Sequence, residues 1–133
     1  MSRAKQFADL QNDIKEAYES GVSLEQAERL AAKFLSAQIT VGEELQVADL
    51  NARMRKSGLK ALKAAVYLDS ASKGDKKPSD IMLNAIVDSD KMVNDEQNAL
   101  DEAEVSRNAL DNYLSVFREA HIYFRSIAKG RFE

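Results

Sequence analysis

From Leu24 to Val66 the sequence keeps one alternating step of three and four: Leu24, Ala27, Ala31, Phe34, Gln38, Val41, Leu45, Ala48, Ala52, Arg55, Leu59, Leu62 and Val66. Most of these residues are apolar. On a helix such spacing draws a single heptad-like stripe, which must be buried against other helices. Only five glycines and one proline interrupt the 133 residues, and no alternating β-branched run reads as a strand. The abundant Ala, Leu, Glu, Lys and Gln favour helix. The fold class is all-α: an elongated helical bundle or hairpin with a long C-terminal helix, one domain over residues 1–133.

Ser2 is placed to cap a first helix (1–20) whose Phe7, Leu10, Ile14 and Ala17 with Tyr18 form one apolar face, and Glu19-Ser20-Gly21 ends it. Ser23-Leu24-Glu25-Gln26 reads as a capping box that starts a second helical segment over 23–69. β-Branching and glycine at Ile39-Thr40-Val41-Gly42 predict a break or kink near 42, and Gly58 is a second soft spot. Ser70–Ser79, SASKGDKKPS, has loop composition, with Gly74-Asp75 as its turn and a basic character over 70–78.

A third helix is expected over 79–129, with the repeat Met82, Ile86, Ser89, Val93, Glu96, Leu100, Ala103, Arg107, Leu110, Leu114, Phe117, His121, Phe124 and Ala128. Fifty helical residues extend about 75 Å, whereas a compact domain of this size has a radius of gyration of about 14 Å. A straight third helix would protrude, and a protruding apolar seam needs a partner, most simply a second copy. Leu110, Leu114, Phe117, His121 and Phe124 are the candidate oligomer interface. The alternative is a bend within Asn94–Asn98, NDEQN, which would give a compact bundle.

The inventory for catalysis is thin. His121, the single histidine, falls on the apolar seam and has no nucleophile tied to it by a motif. Glu119 stands two residues from it, which is not the Glu-x-x-His spacing of helical carboxylate metal centres. Asp88-Ser89-Asp90 lacks the glycine and distal glutamate of a calcium loop, and Gly74-Asp75-Lys76-Lys77 lacks the rest of a phosphate loop. The reading is a non-enzyme with no metal and no cofactor. With no cysteine and no apolar run longer than Ala64–Leu68, disulfides and a membrane span are not expected; a reducing cytoplasm is.

Charge is where the sequence is informative. Arg53 to Lys77 holds eight cations against two acids, a net +6, whereas the remainder holds 11 cations against 20 acids. Arg53, Lys56, Lys60 and Lys63 step by three, four and three, lining one helix face for about 15 Å. Such a row attracts phosphates with release of counterions, and Tyr67, one turn on, offers a ring for a base to stack on. Lys73, Lys76 and Lys77 extend the positive surface into the loop. The alternative is a solvated face that pairs with the acids of the third helix, Asp95 to Glu104, in the same or a neighbouring subunit. Arg118, Arg125, Lys129 and Arg131, interleaved with Tyr123, Phe124 and Phe132, form a smaller basic group.

Leu62-Lys63-Ala64, followed by Tyr67 and a Ser/Gly-containing turn, resembles the Leu-Lys-Ala-Arg segment of the recombination mediators of T-even-like bacteriophages, the UvsY family. Leu83, Val87, Asp90 and Val93 in LNAIVDSDKMV resemble the start of that family's later helix. Ala65 stands here where the family arginine follows the lysine. The resemblance implies a small helical homo-oligomer in the host cytoplasm that binds single-stranded DNA. It also implies help in loading a recombinase onto strands covered by single-strand-binding protein, with Lys63 and Lys60 as DNA contacts. The second reading, from charge and helix pattern, is a phage structural, scaffolding or adaptor protein that works through helix–helix contacts.

Overall fold

In this computed structural model, which describes residues 2–74, 76 and 78–130, the chain forms four helices, and no strand occurs among the described residues. They are α1 (Arg3–Ser20), α2 (Leu24–Ser72), α3 (Asp80–Ser89) and α4 (Lys91–Ala128). The all-α class and the long C-terminal helix stand as expected from the sequence. The 74–75 turn falls partly, and Lys77, Arg131 and Phe132 wholly, outside the described residues.

Local chemistry sets the helix ends. The Ser2 hydroxyl accepts from the Lys5 amide at 3.2 Å. Gly21, at φ +73° and ψ 168°, takes a positive-φ conformation suited to glycine that closes α1, and donates its N–H to the Ala17 carbonyl at 2.9 Å. The capping box is formed in both directions: the Gln26 amide donates to Ser23 Oγ at 3.1 Å, and the Ser23 amide donates to Gln26 Oε1 at 3.0 Å.

Two boundaries differ from the sequence reading. α2 passes through Gly42 without a break and runs on to Ser72. Neither Gly42 nor Gly58 has a neighbouring atom that a Cβ would meet, so both tax helix propensity without interrupting it, because packing on either side holds the backbone helical. The expected third helix is instead two helices, and the break lies at Asp90, four residues before the NDEQN segment, which is helical throughout. Asp90 has ψ 130°, so its backbone leaves the helix, and its Oδ1 accepts from the Val93 amide at 3.0 Å as the N-cap of α4.

That joint shifts the helical phase by one residue. From Val93 onward the expected repeat is the inward one, with Val93, Leu100, Ala103, Phe117 and Phe124 buried. Before Asp90 the inward residues are Leu83 and Val87, and the expected Met82 and Ile86 are exposed.

The chain divides into two compact units, 1–45 with 108–133 and 46–107. In the first, α1, the N-terminal part of α2 and the C-terminal part of α4 enclose an aromatic core. Phe34 lies 5.6 Å from Phe117 and 5.7 Å from Phe124, centroid to centroid, and Phe7 meets Phe117 at 5.9 Å and Tyr113 at 5.4 Å. Leu110 and Leu114 pack against this core, and His121 Nδ1 lies 2.8 Å from the Ala31 carbonyl. The seam expected to join subunits is therefore filled from within the chain: Phe117 and Phe124 retain no accessible surface. α1 supplies the partner, because its Phe7, Ile14 and Ala17 face the same core.

In the second unit, Leu59 of α2, Val87 of α3, and Val93 and Leu100 of α4 form the core, flanked by Leu62, Val66 and Tyr67. Arg55 reaches Glu96 at 3.8 Å and Arg107 reaches Asp49 at 3.9 Å, both partly exposed. Such pairs add at most about 1 kcal/mol each.

Two stability measurements follow from this packing. Phe117→Ala should lower the unfolding free energy of the aromatic core by about 3–5 kcal/mol in urea titration. Gly42→Ala and Gly58→Ala should each raise stability by about 0.5–1 kcal/mol, since the helix is already formed there and the added methyl meets open space.

Candidate nucleic-acid interface

The basic row lies wholly in the second unit, on the flank of α2 between its buried face and its outer face. Arg53, Lys56 and Lys60 are exposed and Lys63 is half-buried. Among the described residues one member of the row is ion-paired. Arg53 holds Asp49 of its own helix at 2.9 Å. Lys56, Lys60 and Lys63 have no ion-pair partner among the described residues, and the acids Asp95 to Glu104 do not neutralise them. Within that acidic stretch, Glu96 pairs with Arg55, and Asp101 accepts from Gln97 Nε2 at 3.0 Å. Arg55 lies off the row, nearer the seam, as its position in the repeat requires.

The three free lysines border a groove. One part, of about 500 Å³, lies between α2 and α4 and is lined by Lys56, Ser57, Leu59, Lys60, Lys63, Gln97 and Leu100. A second, of about 580 Å³, continues from Lys63 past Ala64, Tyr67 and Leu68 on α2 to Asn84, Val87 and Asp88 on α3. Lys63 is common to both. The floor is apolar, from Leu59 and Leu100 to Val87, and one wall is cationic.

Tyr67 stands elsewhere in this chemistry than the sequence reading placed it. Its ring packs on the Leu59–Val87 core, and its hydroxyl donates to Asp80 Oδ1, at the start of α3, at 2.7 Å. It is half-buried and tethered, and is thus a packed residue rather than a free platform for a base. Asp80 and Asp88 also make this end of the groove acidic, so a bound polyanion would be favoured along Lys56–Lys63 and opposed beyond it. Periodicity could have hinted at this, since Tyr67 follows directly on the seam residue Val66.

The remaining candidates scatter. Lys73 pairs with Asp69 at 2.9 Å on the same helix, and Lys76 is exposed. Near the C-terminus Arg118, Arg125 and Lys129 are exposed, but in that group Phe124 is buried and Tyr123 packs on Tyr18 at 4.8 Å, so these aromatics are spent on the core. Among the described residues no group of three or more His, Asp or Glu converges as a metal site, and no helix is long and apolar enough to cross a membrane.

Comparison of the chain with protein-family profiles, with curated proteins and with solved structures finds no match. The interface therefore rests on its own geometry.

The Tyr67–Asp80 bond has a measurable consequence. A carboxylate accepting from the phenol favours the protonated form, and burial acts in the same direction, so the Tyr67 pKa is raised above the ordinary tyrosine value. The sign follows directly: the fold stabilises the neutral phenol, so this contribution is complete below about pH 10 and is lost as pH rises through the folded value. In an ultraviolet titration Tyr67 should ionise later than a free tyrosine, and Asp80→Asn should bring it back down.

Proposed function

We propose that this chain is a non-enzymatic, self-associating protein that holds single-stranded nucleic acid along the Lys56–Lys60–Lys63 flank of α2. The observation that carries this reading is the uncommitted lysine row. Three cations on consecutive turns keep their charge available along a groove in a chain whose total is −3. A flexible single strand fits a helix flank and shallow groove of this kind, because its contacts need only phosphate spacing and sequence-tolerant apolar contact. The resemblance of Leu62-Lys63-Ala64 and Tyr67 to the phage recombination mediators supplies the biological setting. In that setting the chain assists a recombinase on strands coated by single-strand-binding protein.

One observation favours a second reading, an adaptor or scaffolding protein. Tyr67 is the sole aromatic residue of the second unit and it is tethered, while Leu59 and Leu100 are buried, so the groove offers no free platform for base stacking. An acidic amphipathic peptide would meet the same lysines and the same floor.

Fluorescence anisotropy with a labelled oligonucleotide separates the two. Three phosphate contacts give a slope of log affinity against log salt of roughly −0.7 × 3, or −2, and a fourth from Arg53 makes it about −3. Lys60→Glu/Lys63→Glu should abolish binding at low salt while leaving helicity unchanged. Absence of binding by the unmodified protein at low salt, or binding indifferent to those substitutions, rejects the nucleic-acid reading.

A further inference from the structure

The lysine groove does not end where its cations do. Beyond Lys63 it continues between α2 and α3 as a cavity of about 580 Å³, a size ordinary for a small-molecule site. Its α2 wall includes Lys63, Ala64 and Tyr67, and its α3 wall is Asn84, Val87 and Asp88. Asp80, Asn84 and Asp88 step by four along one side of α3, so they form a single polar stripe beside the buried Leu83 and Val87. Asp80 is held by the Tyr67 hydroxyl at 2.7 Å. Asn84 and Asp88 are exposed, and among the described residues neither side chain has a hydrogen-bond or ion-pair partner.

Lys63 and Asp88 line the same cavity without forming an ion pair. An occupant satisfies both at once if it carries negative charge toward α2 and N–H donors toward α3. A second phosphate fails this requirement, because the Asp88 carboxylate repels it. An unpaired base meets it when its edge bears an exocyclic amine. In cytosine the N4 amine donates to a carboxylate, and the neighbouring ring N3 accepts from a side-chain amide. Uracil and thymine have a single N–H donor set between two carbonyl oxygens, and a carboxylate repels both of these. Asn84 and Asp88, one turn apart, present an amide and a carboxylate side by side. With Tyr67 tethered and no ring free to stack on, the edge is the part of a base that this cavity can hold.

We infer that this cavity is a base-reading pocket at the end of the phosphate row. Lys63 holds a phosphate, and Asn84 with Asp88 holds the edge of the next base, favouring cytosine over uracil and thymine. The inference rests on the nucleic-acid reading of the lysine row. It adds a preference that the row alone does not have, since phosphate contacts carry no sequence information. The lysines stand on α2 and the reading residues on α3, so strength of binding and choice of base are separable by substitution.

The test compares labelled deoxycytidine and deoxyuridine dodecamers by fluorescence anisotropy at neutral pH, because the two bases differ only along that edge. The unmodified protein should bind the deoxycytidine strand about five-fold more tightly, the lower end of what one paired base contact discriminates. In Asn84→Ala/Asp88→Ala the two affinities should become equal. Both side chains are exposed, so circular dichroism should report unchanged helix. Loss of a carboxylate also strengthens the attraction for any polyanion, and the ratio of the two affinities is the readout that this general effect does not move. Equal affinities in the unmodified protein overturn the pocket, as does a preference that survives Asn84→Ala/Asp88→Ala. If binding in either case is still lost in Lys60→Glu/Lys63→Glu, the nucleic-acid reading stands without the pocket. No binding of either strand at low salt removes both.

Discussion

In each of the two units the other helices find their buried partners on the three-four stripe of α2. Phe34 and Val41 receive α1 and the C-terminal part of α4, and Leu59 receives α3 and the N-terminal part of α4. The face persists because its three-four alternation never lapses across 43 residues, from Leu24 to Val66. The consequence for the local backbone is that two glycines with poor intrinsic propensity are carried as helix, since each lies between turns held by core contacts. Packing thus outranks propensity along α2, and the continuity of this helix is what sets four cations on one flank at regular rise.

The availability of Lys56, Lys60 and Lys63 comes from where the acids are used. Asp49 faces both Arg53 and Arg107, Glu96 faces Arg55, Asp69 faces Lys73, and Asp80 receives the Tyr67 hydroxyl. Although the chain holds more acids than cations, Asp49, Glu96, Asp69 and Asp80 are engaged with other groups, and Asp88 lies at the far end of the groove from Lys56. Each such pair is weak at the solvent boundary. Their combined effect is spatial: positive potential is left on one strip of α2, and the acidic end of the groove begins where Tyr67 and α3 meet.

Much of the fold was legible because it is written in short-range chemistry. Ser2, Ser23 with Gln26, and Gly21 act at the ends they mark, and the seam residues from Ala27 to Val66 are buried or half-buried. The break at Asp90 was not legible from periodicity, since Met82-x3-Ile86 and Leu83-x3-Val87 are equally good apolar pairs. Only the capping bond to Val93, which breaks the phase, chooses between them. The aromatic seam of the last helix was misassigned to a subunit contact for a related reason. Phe117 and Phe124 declare a need for burial, but spacing cannot say that Phe7 and Phe34, far earlier in the chain, will meet it. The lysine row was legible as a line, whereas its freedom depended on three-dimensional ion pairing.

The joint at Asp90 separates two angular frames. Each residue turns a helix by about 100°, so in one uninterrupted helix the facing of Leu83 would be dictated by that of Val93. With a single non-helical residue between them, α3 takes its own angular setting, which lets Val87 and Val93 meet in one core with Leu59 and Leu100. A change of length at that junction would therefore turn Leu83 and Val87 out of that core while leaving the phase of the long helix beyond it unaltered.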